Sequence, residues 1–356
     1  MQTEKDILDF IIIGAQKSGT TSLFQYLRHH PEISLPGGKE VPYFSHDTAC
    51  TRGWTAYIRH LAQHEYDGTA DPTQKWGTVT PHYMAGGAYP STSDVALKNS
   101  YDERTVPLRI RECLPDIRLI AILRDPVERA RSHHRMTVRR GRERRSFDEA
   151  IGELLRPDAL ERSRRCLRES EHTGYVTWGE YGRILAGYFD VFRREQILVV
   201  FTDELERTPG QLLSRIQEFI GVRADTKPDN LGTRYKIGVV ERQFSWMSPS
   251  SWIAPSSPLS PQGVHRALRR SSAARAVWDV IPEARRRRLR HPYDRIADRV
   301  VLRSRSRRSG PNDVRANAEP SLATLTQLRE HYVQDTCQLA ALLGVAPSWQ
   351  TSDSPR

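Results

Sequence analysis

A strand, a loop of small residues and a helix follow one another near the start of the chain, in residues 10–27. The apolar run Ile11-Ile12-Ile13 predicts a buried parallel strand, and helical spacing resumes near Thr20. Gly14 and Gly19 allow the backbone between them to turn tightly. Because the first turn of such a helix presents unpaired backbone N–H groups, this stretch predicts a binding site for a phosphate or a sulfate.

The lysine of this loop stands in an unusual place. A Walker A loop, G-x-x-x-x-G-K-[ST], needs its lysine directly after the second glycine, whereas this chain has Thr20 there and carries Lys17 earlier. This departure argues against a P-loop kinase or NTPase, which remains the alternative enzyme class. The candidate residues for binding the anion are Gln16, Lys17, Ser18, Gly19, Thr20, Thr21 and Ser22.

The loop resembles the 5′-phosphosulfate loop of sulfotransferases that use 3′-phosphoadenosine 5′-phosphosulfate (PAPS), in the style of the heparan sulfate enzymes and their bacterial-type members. A second motif agrees with this resemblance: Arg124-Asp-Pro-Val-Glu-Arg-Ala-Arg-Ser132 is similar to the 3′-phosphate motif of the same family. An arginine at a strand end can bind a phosphate bidentately, and a serine on the following helix can donate to it. An ion pair of Arg124 with Asp125 or Glu128 is the alternative role.

The resemblance also implies the reacting groups. Lys39-Glu40-Val-Pro-Tyr-Phe is similar to a Lys-Glu-x-x-Phe-Phe segment of the heparan-type enzymes, in which the glutamate acts as base. We therefore expect Glu40 to accept the proton of the acceptor, while Lys17 and Lys39 stabilise the leaving phosphate. His82, in a Thr-Pro-His-Tyr segment, is the rival base.

Further residues follow from the same resemblance. Arg234 and Lys236 supply additional candidate contacts to the 3′-phosphate, and Tyr181 is expected near the acceptor. His133 and His134 are expected to lie on the helix of Ser132 without a catalytic role. The implied reaction moves a sulfuryl group from PAPS, which leaves as adenosine 3′,5′-bisphosphate (PAP), to a hydroxyl or, as second choice, an amine. The expected acceptor is a carbohydrate, a lipid or a secondary metabolite.

Apolar runs alternate with helical spacing along the first 222 residues, which predicts an α/β fold with a central parallel sheet between layers of helices, of the P-loop type. The predicted strands include Ile117–Leu123 and Ile197–Phe201, and Ser321–Leu343 has helical spacing again. We expect residues 1–222 to form the core. Residues 223–320 are expected to be a basic, partly flexible insertion rich in Pro, Ser and Arg, and residues 321–356 a helical segment that completes the core.

Charge and composition bound the partners. The chain of 356 residues has a net charge of +11, much of it in Arg139–Arg145 and Arg285–Arg308, and the latter run predicts contact with an anionic surface. A basic protein that binds nucleic acid or a membrane surface is therefore a third alternative, although no aromatic residues interleave with the arginines to favour specific nucleic-acid binding. The four cysteines lack metal-ligand spacing, so no metal is predicted. No apolar run could span a membrane and the first strand begins early, so we expect a cytoplasmic location.

Overall fold

The structure is a computed structural model and describes residues 8–35, 42–63, 73–89, 102–165, 173–233, 235, 316 and 318–350. All of them belong to one compact unit, which is formed by the parts of the chain on either side of residues 238–310. The fold and the site are those of this unit.

A parallel sheet of five strands lies at the centre of the described residues. The strands are β1 (Phe10–Gly14), β2 (Ile33–Ser34), β3 (Lys75–Val79), β4 (Arg118–Leu123) and β5 (Ile197–Phe201). Their order in the sheet is β2-β3-β1-β4-β5, and every neighbouring pair is parallel. The predicted α/β fold with a parallel sheet flanked by helices is confirmed.

Helices connect and cover these strands. The first five are α1 (Thr20–Leu27), α2 (Asp47–Cys50), α3 (Trp54–Gln63), α4 (Thr105–Cys113) and α5 (Pro126–Arg139). The others are α6 (Phe147–Leu154), α7 (Pro157–Arg165), α8 (Tyr181–Phe189), α9 (Thr202–Arg207), α10 (Pro209–Ile220) and α11 (Leu322–Leu343). Short 3₁₀ turns occupy Pro81–Met84, Thr177–Gly179 and Arg194–Gln196.

The central strands are apolar on both faces, because both faces are covered. Side chains of one parity, such as Phe10 and Ile12, share a core cluster with α1 and α10. Side chains of the other parity, such as Ile11, Ile13 and Leu119, are just as fully buried. This two-sided burial explains why β1 and β4 are continuous apolar runs rather than alternating ones.

Helix α11 joins the core from the far end of the sequence. Ser321 caps its first turn, and Gly344 ends it with a φ of 72°. One turn of α11 packs against the start of α8, where the Asp335 carboxylate accepts hydrogen bonds from the backbone N–H groups of Gly182 (2.9 Å) and Arg183 (2.8 Å). The helix predicted for the end of the chain is therefore present and packs against the core.

The segment after α10, residues 223–233, lies against α1 and the turn at its end. The Arg223 carbonyl lies 2.9 Å from His30 Nε2, and the Tyr26 hydroxyl donates to the Thr233 carbonyl (2.8 Å). Residues 223–233 thus contact the core, and the division predicted at residue 222 stays a prediction because most of residues 223–320 lies outside the described residues. Within the described part of the chain, no helix has the length and apolar character to cross a membrane.

Candidate active site

The loop between β1 and α1 has the tight geometry that its glycines predict. Gly19 adopts a φ of 96°, and Lys17 also lies in the left-handed region with a φ of 69°. A side chain on Gly19 would meet Leu205 at 3.0 Å. A non-glycine residue in this conformation costs free energy, and such strain is concentrated at functional sites. Helix α1 begins at Thr20, as predicted.

The start of α1 is suited to an anion. No side chain caps this end, and its first turn contains no acidic residue, so the helix end keeps its positive electrostatic potential. Thr20 and Ser22 are buried here. The Ser22 hydroxyl accepts a hydrogen bond from the Tyr235 N–H (3.2 Å), which leaves its own proton available for donation. Lys17, the helix end and the hydroxyl groups thus lie together, in the arrangement that the predicted phosphate or sulfate site requires.

Arg124 lies beside this loop. It follows β4 directly, and its Nη1 is 3.5 Å from the Lys17 carbonyl oxygen. Thr202, at the end of β5, fixes the arrangement because its hydroxyl lies 2.7 Å from the Ser18 carbonyl and 3.0 Å from the Leu123 carbonyl. The two motifs of the sequence therefore meet at the carboxyl edge of the sheet, where open α/β folds bind ligands.

The helix that follows Arg124 carries Ser132. Asp125 caps α5 by accepting from the Val127 and Glu128 N–H groups at 2.8 and 3.0 Å. Glu128 pairs with Arg131 at 2.7 Å and, at the longer distance of 3.5 Å, with Arg124, so the ion pair given as the alternative role of Arg124 is present. The shorter ion pair of Glu128 is thus the one with Arg131, and Arg124 remains close to the loop. Ser132 is half-buried one turn further on.

His82 lies at the same edge of the sheet, in the 3₁₀ turn after β3. The Thr80 N–H donates to the Ile12 carbonyl (3.0 Å), which places this turn beside the end of β1. The His82 side chain is buried, and its ring meets the Trp178 indole edge to face at 5.7 Å. His82 is therefore near the proposed site, as its role of rival base requires.

Three buried residues behind the loop were not expected at the site. Arg129 and His133 of α5 are fully buried, and the His133 ring stacks on Trp178 with centroids 5.1 Å apart. Their helical spacing with Ala130 shows that they share the inward face of α5. Spacing alone could have indicated burial, but nothing in the sequence shows that this face is turned towards Lys17.

Tyr181, expected near the acceptor, is buried at the start of α8. Burial raises the pKa of Tyr181. The charge of Arg129 and an interaction with the Ser18 side chain lower this pKa by a smaller amount, so the phenol stays protonated. The Tyr181 side chain thus lies near Ser18 of the loop between β1 and α1. Four other predicted site residues, Lys39, Glu40, Arg234 and Lys236, lie outside the described residues, so their roles stay predictions.

Comparison with known proteins agrees with this geometry. A family model described as "Sulfotransferase domain" matches residues 8–236. The chain belongs to the sulfotransferase family. The match begins just before β1 and ends just after residues 223–233, so it spans the whole candidate site. It favours this family over the P-loop kinase alternative.

Individual sulfotransferases show how far the similarity extends. The chain is 26% identical over 219 residues to human heparan sulfate glucosamine 3-O-sulfotransferase 3B1, covering 62% of this chain and 47% of the relative. It is 28% identical over 228 residues to mouse bifunctional heparan sulfate N-deacetylase/N-sulfotransferase 4, covering 60% and 22% of the two chains. The chain thus spans less than half the length of these relatives.

A solved structure extends the likeness of the fold. The crystal structure of a sulfotransferase from Alicyclobacillus acidocaldarius has a TM-score of 0.58 and 21% identity, with 96% of this chain and 98% of that chain covered. This sulfotransferase shares the overall fold, with a parallel sheet between helices.

Proposed function

We propose that the chain transfers a sulfuryl group from PAPS to a hydroxyl of a carbohydrate-containing acceptor. One observation carries this proposal: Arg124 lies 3.5 Å from the carbonyl of Lys17, so the two motifs that would bind the ends of PAPS face each other. Membership of the sulfotransferase family supports the reaction class.

The donor would be bound at its two ends. Residues Gln16–Ser22 would hold the 5′-phosphosulfate, and Arg124 with Ser132 would hold the 3′-phosphate. Arg234 and Lys236 are proposed as further 3′-phosphate contacts. The hydrogen bond between the Tyr235 N–H and Ser22 supports this, because Tyr235 lies between these two residues in the chain.

Transfer would proceed by in-line displacement at sulfur. The acceptor oxygen forms a bond to sulfur while the bond from sulfur to the 5′-phosphate oxygen breaks, and the acceptor proton moves to a base. We propose Glu40 as this base, with His82 as the alternative. Lys17 and Lys39 would stabilise the negative charge that grows on the leaving phosphate. The residues require no metal for these steps.

The acceptor class is proposed from the relatives. The names of the matched enzymes specify heparan sulfate, and they include an O-sulfotransferase and an N-sulfotransferase. A glycan hydroxyl is therefore our first choice of acceptor and a glycan amine the second. A cytoplasmic location, and contact of Arg285–Arg308 with an anionic surface, are further proposals that rest on the sequence.

Binding of PAP tests the donor site. We expect PAP to raise the melting temperature of the protein in the presence of EDTA, since the site uses lysine, arginine and helix N–H groups. Lys17→Ala should abolish most of this shift, while the exposed Lys227→Ala should preserve it. Glu40→Gln should also preserve it, because the base does not bind the donor. Differential scanning fluorimetry measures all four proteins.

Turnover completes this test. Candidate glycans are incubated with PAPS, and mass spectrometry detects the added sulfuryl group. Glu40→Gln should lose most turnover while it still binds PAP. A fully active Glu40→Gln would instead indicate that His82 is the base. Stabilisation by ATP and Mg²⁺, but not by PAP, would overturn the proposed function.

A further inference from the structure

Among the described residues, one ring nitrogen of His133 has a hydrogen-bond partner and the other has none. Its Nδ1 lies 3.3 Å from Nη1 of Arg129. An arginine can only donate, so Nδ1 must be the acceptor, and the proton of the neutral ring is then on Nε2. Among the described residues, Nε2 has no hydrogen-bond partner although the side chain is fully buried. A buried donor without an acceptor is rare and costly.

Arg129 is held so that it keeps this tautomer in place. Its Nη2 donates to the carbonyl oxygens of Gly174 (3.2 Å) and Tyr175 (2.5 Å). Gly174 is packed so closely that a side chain there would meet the Trp178 indole at 2.5 Å. The Arg129 guanidinium, the His133 ring and the Trp178 indole therefore form one rigid buried group, which we call the Arg129 cluster.

The Arg129 cluster also carries a positive charge that no carboxylate of the described residues pairs with. Arg129 is fully buried, and the described residues provide no carboxylate that forms an ion pair with it. A buried charge without a partner is destabilising, and a bound anion would offset that cost. The cluster thus supplies both a positive potential and a directed N–H donor.

Its position connects it with the sulfuryl end of the donor site. The Trp178 indole packs against both histidine rings, with centroids 5.1 Å from His133 and 5.7 Å from His82, so the two histidines lie on the same indole. Burial lowers the pKa of His133 well below its ordinary value, and the charges of Arg129, Lys17 and His82 lower it further, so the ring remains neutral. Ser132, the residue proposed for the 3′-phosphate, is adjacent in the helix and therefore projects about 100° away from His133. The histidine thus lies on the His82 side of the site, because both rings pack against Trp178.

We propose that His133 presents its Nε2–H to the oxygens of the sulfuryl group of PAPS, with Arg129 as the positioning residue that fixes the ring in this tautomer. The inference rests on the proposed function and adds to it a hydrogen-bond donor for the sulfuryl group that is transferred. A lysine ammonium is a point charge without a preferred direction, whereas the imidazole N–H points in one direction, so it can orient the sulfuryl group for in-line attack. The hydrogen bond itself breaks no bond and transfers no proton.

The test compares two ligands that differ by the sulfuryl group. Isothermal titration gives the Kd of PAPS and of PAP for the full-length protein and its His133 variants. His133→Phe keeps a ring that can stack on Trp178 but removes the donor. We expect it to raise the Kd of PAPS about tenfold, the usual effect of losing one hydrogen bond to a charged group, and to leave the Kd of PAP within about twofold.

Two further variants separate the donor from the packing. His133→Gln places an amide N–H near the position of Nε2 and should restore most of the PAPS affinity. His134→Gln is the matched control, because His134 follows directly on the same buried helix and its Nε2 is already paired with the Arg145 carbonyl at 3.0 Å. It should leave the Kd values of both ligands unchanged.

Arg129 is tested by a signature that a purely structural role would not change. The ¹⁵N shifts of the His133 ring report which nitrogen carries the proton, and Arg129→Met should remove the preference for Nε2–H. Equal loss of PAP and PAPS affinity in His133→Phe, or no loss at all, would overturn the proposal. If that variant does not fold, wild-type ring shifts that place the proton on Nδ1 would overturn it as well. A wild-type protein that binds neither nucleotide would instead refute the proposed function.

Discussion

Among single residues, Glu180 carries a negative charge in the interior, directly before the helix of Tyr181. Its side chain is 2% exposed and pairs with Arg164 (2.8 Å), Arg183 (2.6 Å) and His331 (3.0 Å). Burial raises the pKa of Glu180, but the hydrogen bonds and charges of these three partners outweigh it and lower the pKa to about 2. The carboxylate thus joins α7, α8 and α11 behind the site.

Glu180→Gln should therefore destabilise the protein in a pH-dependent way. The folded pKa lies below the ordinary value of 4.5, so the stabilisation is fully present above that value and is lost as the pH falls towards 2. We expect the variant to lose about 3 kcal/mol of unfolding free energy at pH 7, and the difference from wild type to shrink in acid. Urea denaturation at several pH values measures this.

The matched control for Glu180 is Glu319→Gln. Glu319 also pairs with two arginines, Arg131 and Arg135, but its side chain is 76% exposed. Exposed pairs contribute little, so we expect this variant to lose less than about 1 kcal/mol without a change in the pH profile. A loss of equal size in the two variants would contradict the assigned role of burial.

At the same scale, the sequence predicts some site residues and not others. Lys17 and Arg124 could be placed because each follows an apolar strand, and the carboxyl ends of parallel strands meet at one edge of a sheet. The surroundings of His133 could not be predicted, because the direction of a helix face depends on what packs against it. The contact with Arg129 and the stacking on Trp178 are tertiary, and no local pattern encodes them.

Among the elements, α8 and α11 approach each other most closely at Gly182. A Cβ atom there would lie 2.3 Å from the Asp335 carbonyl oxygen and 3.0 Å from the Leu339 backbone nitrogen. Because both are backbone atoms of a helix, they cannot move aside without shifting α11. Gly182→Ala should therefore lower the free energy of unfolding by about 2 kcal/mol, as overpacking does.

Gly152→Ala provides the opposite expectation in the same experiment. Gly152 is exposed in α6, and a Cβ atom there meets nothing within 4 Å. Alanine restricts the unfolded chain and favours helix, so this variant should gain about 0.5 to 1 kcal/mol. Guanidinium denaturation compares the two alanines. Destabilisation by both would show that glycine is required for a reason other than the close approach of α11.

The elements that the sequence predicts are those with long apolar runs. Strands β1, β4 and β5 and helices α1 and α11 were expected near their observed positions. Strand β3 was not expected, since it contains Gly77, and glycine is depleted in strands. The structure gives the reason: a Cβ atom on Gly77 would lie 2.2 Å from the Phe10 ring of the neighbouring strand. Position 77 requires glycine because the Phe10 ring packs against it, and a local sequence pattern does not show this contact between strands.

For the whole molecule, the net charge of +11 acts on a donor that is itself a polyanion. A field of this kind raises the association rate more than it changes the contacts in the bound complex, and salt screens it. In the proposed site, the dissociation rate is expected to depend instead on the contacts that Lys17 and Arg124 would make to the donor. Charge and site should therefore affect different rate constants.

Stopped-flow binding of PAP, followed by tryptophan fluorescence, can separate the two. We expect the association rate of the wild type to fall about tenfold between about 0.02 and 0.5 M salt. Replacing Arg285–Arg288 by glutamine removes four positive charges and should lower the association rate at low salt, with little change in dissociation. Arg124→Gln should instead speed dissociation at every salt concentration, because Arg124 is the residue proposed to bind the 3′-phosphate bidentately. An association rate that does not depend on salt would show that the overall charge has no part in capturing the donor.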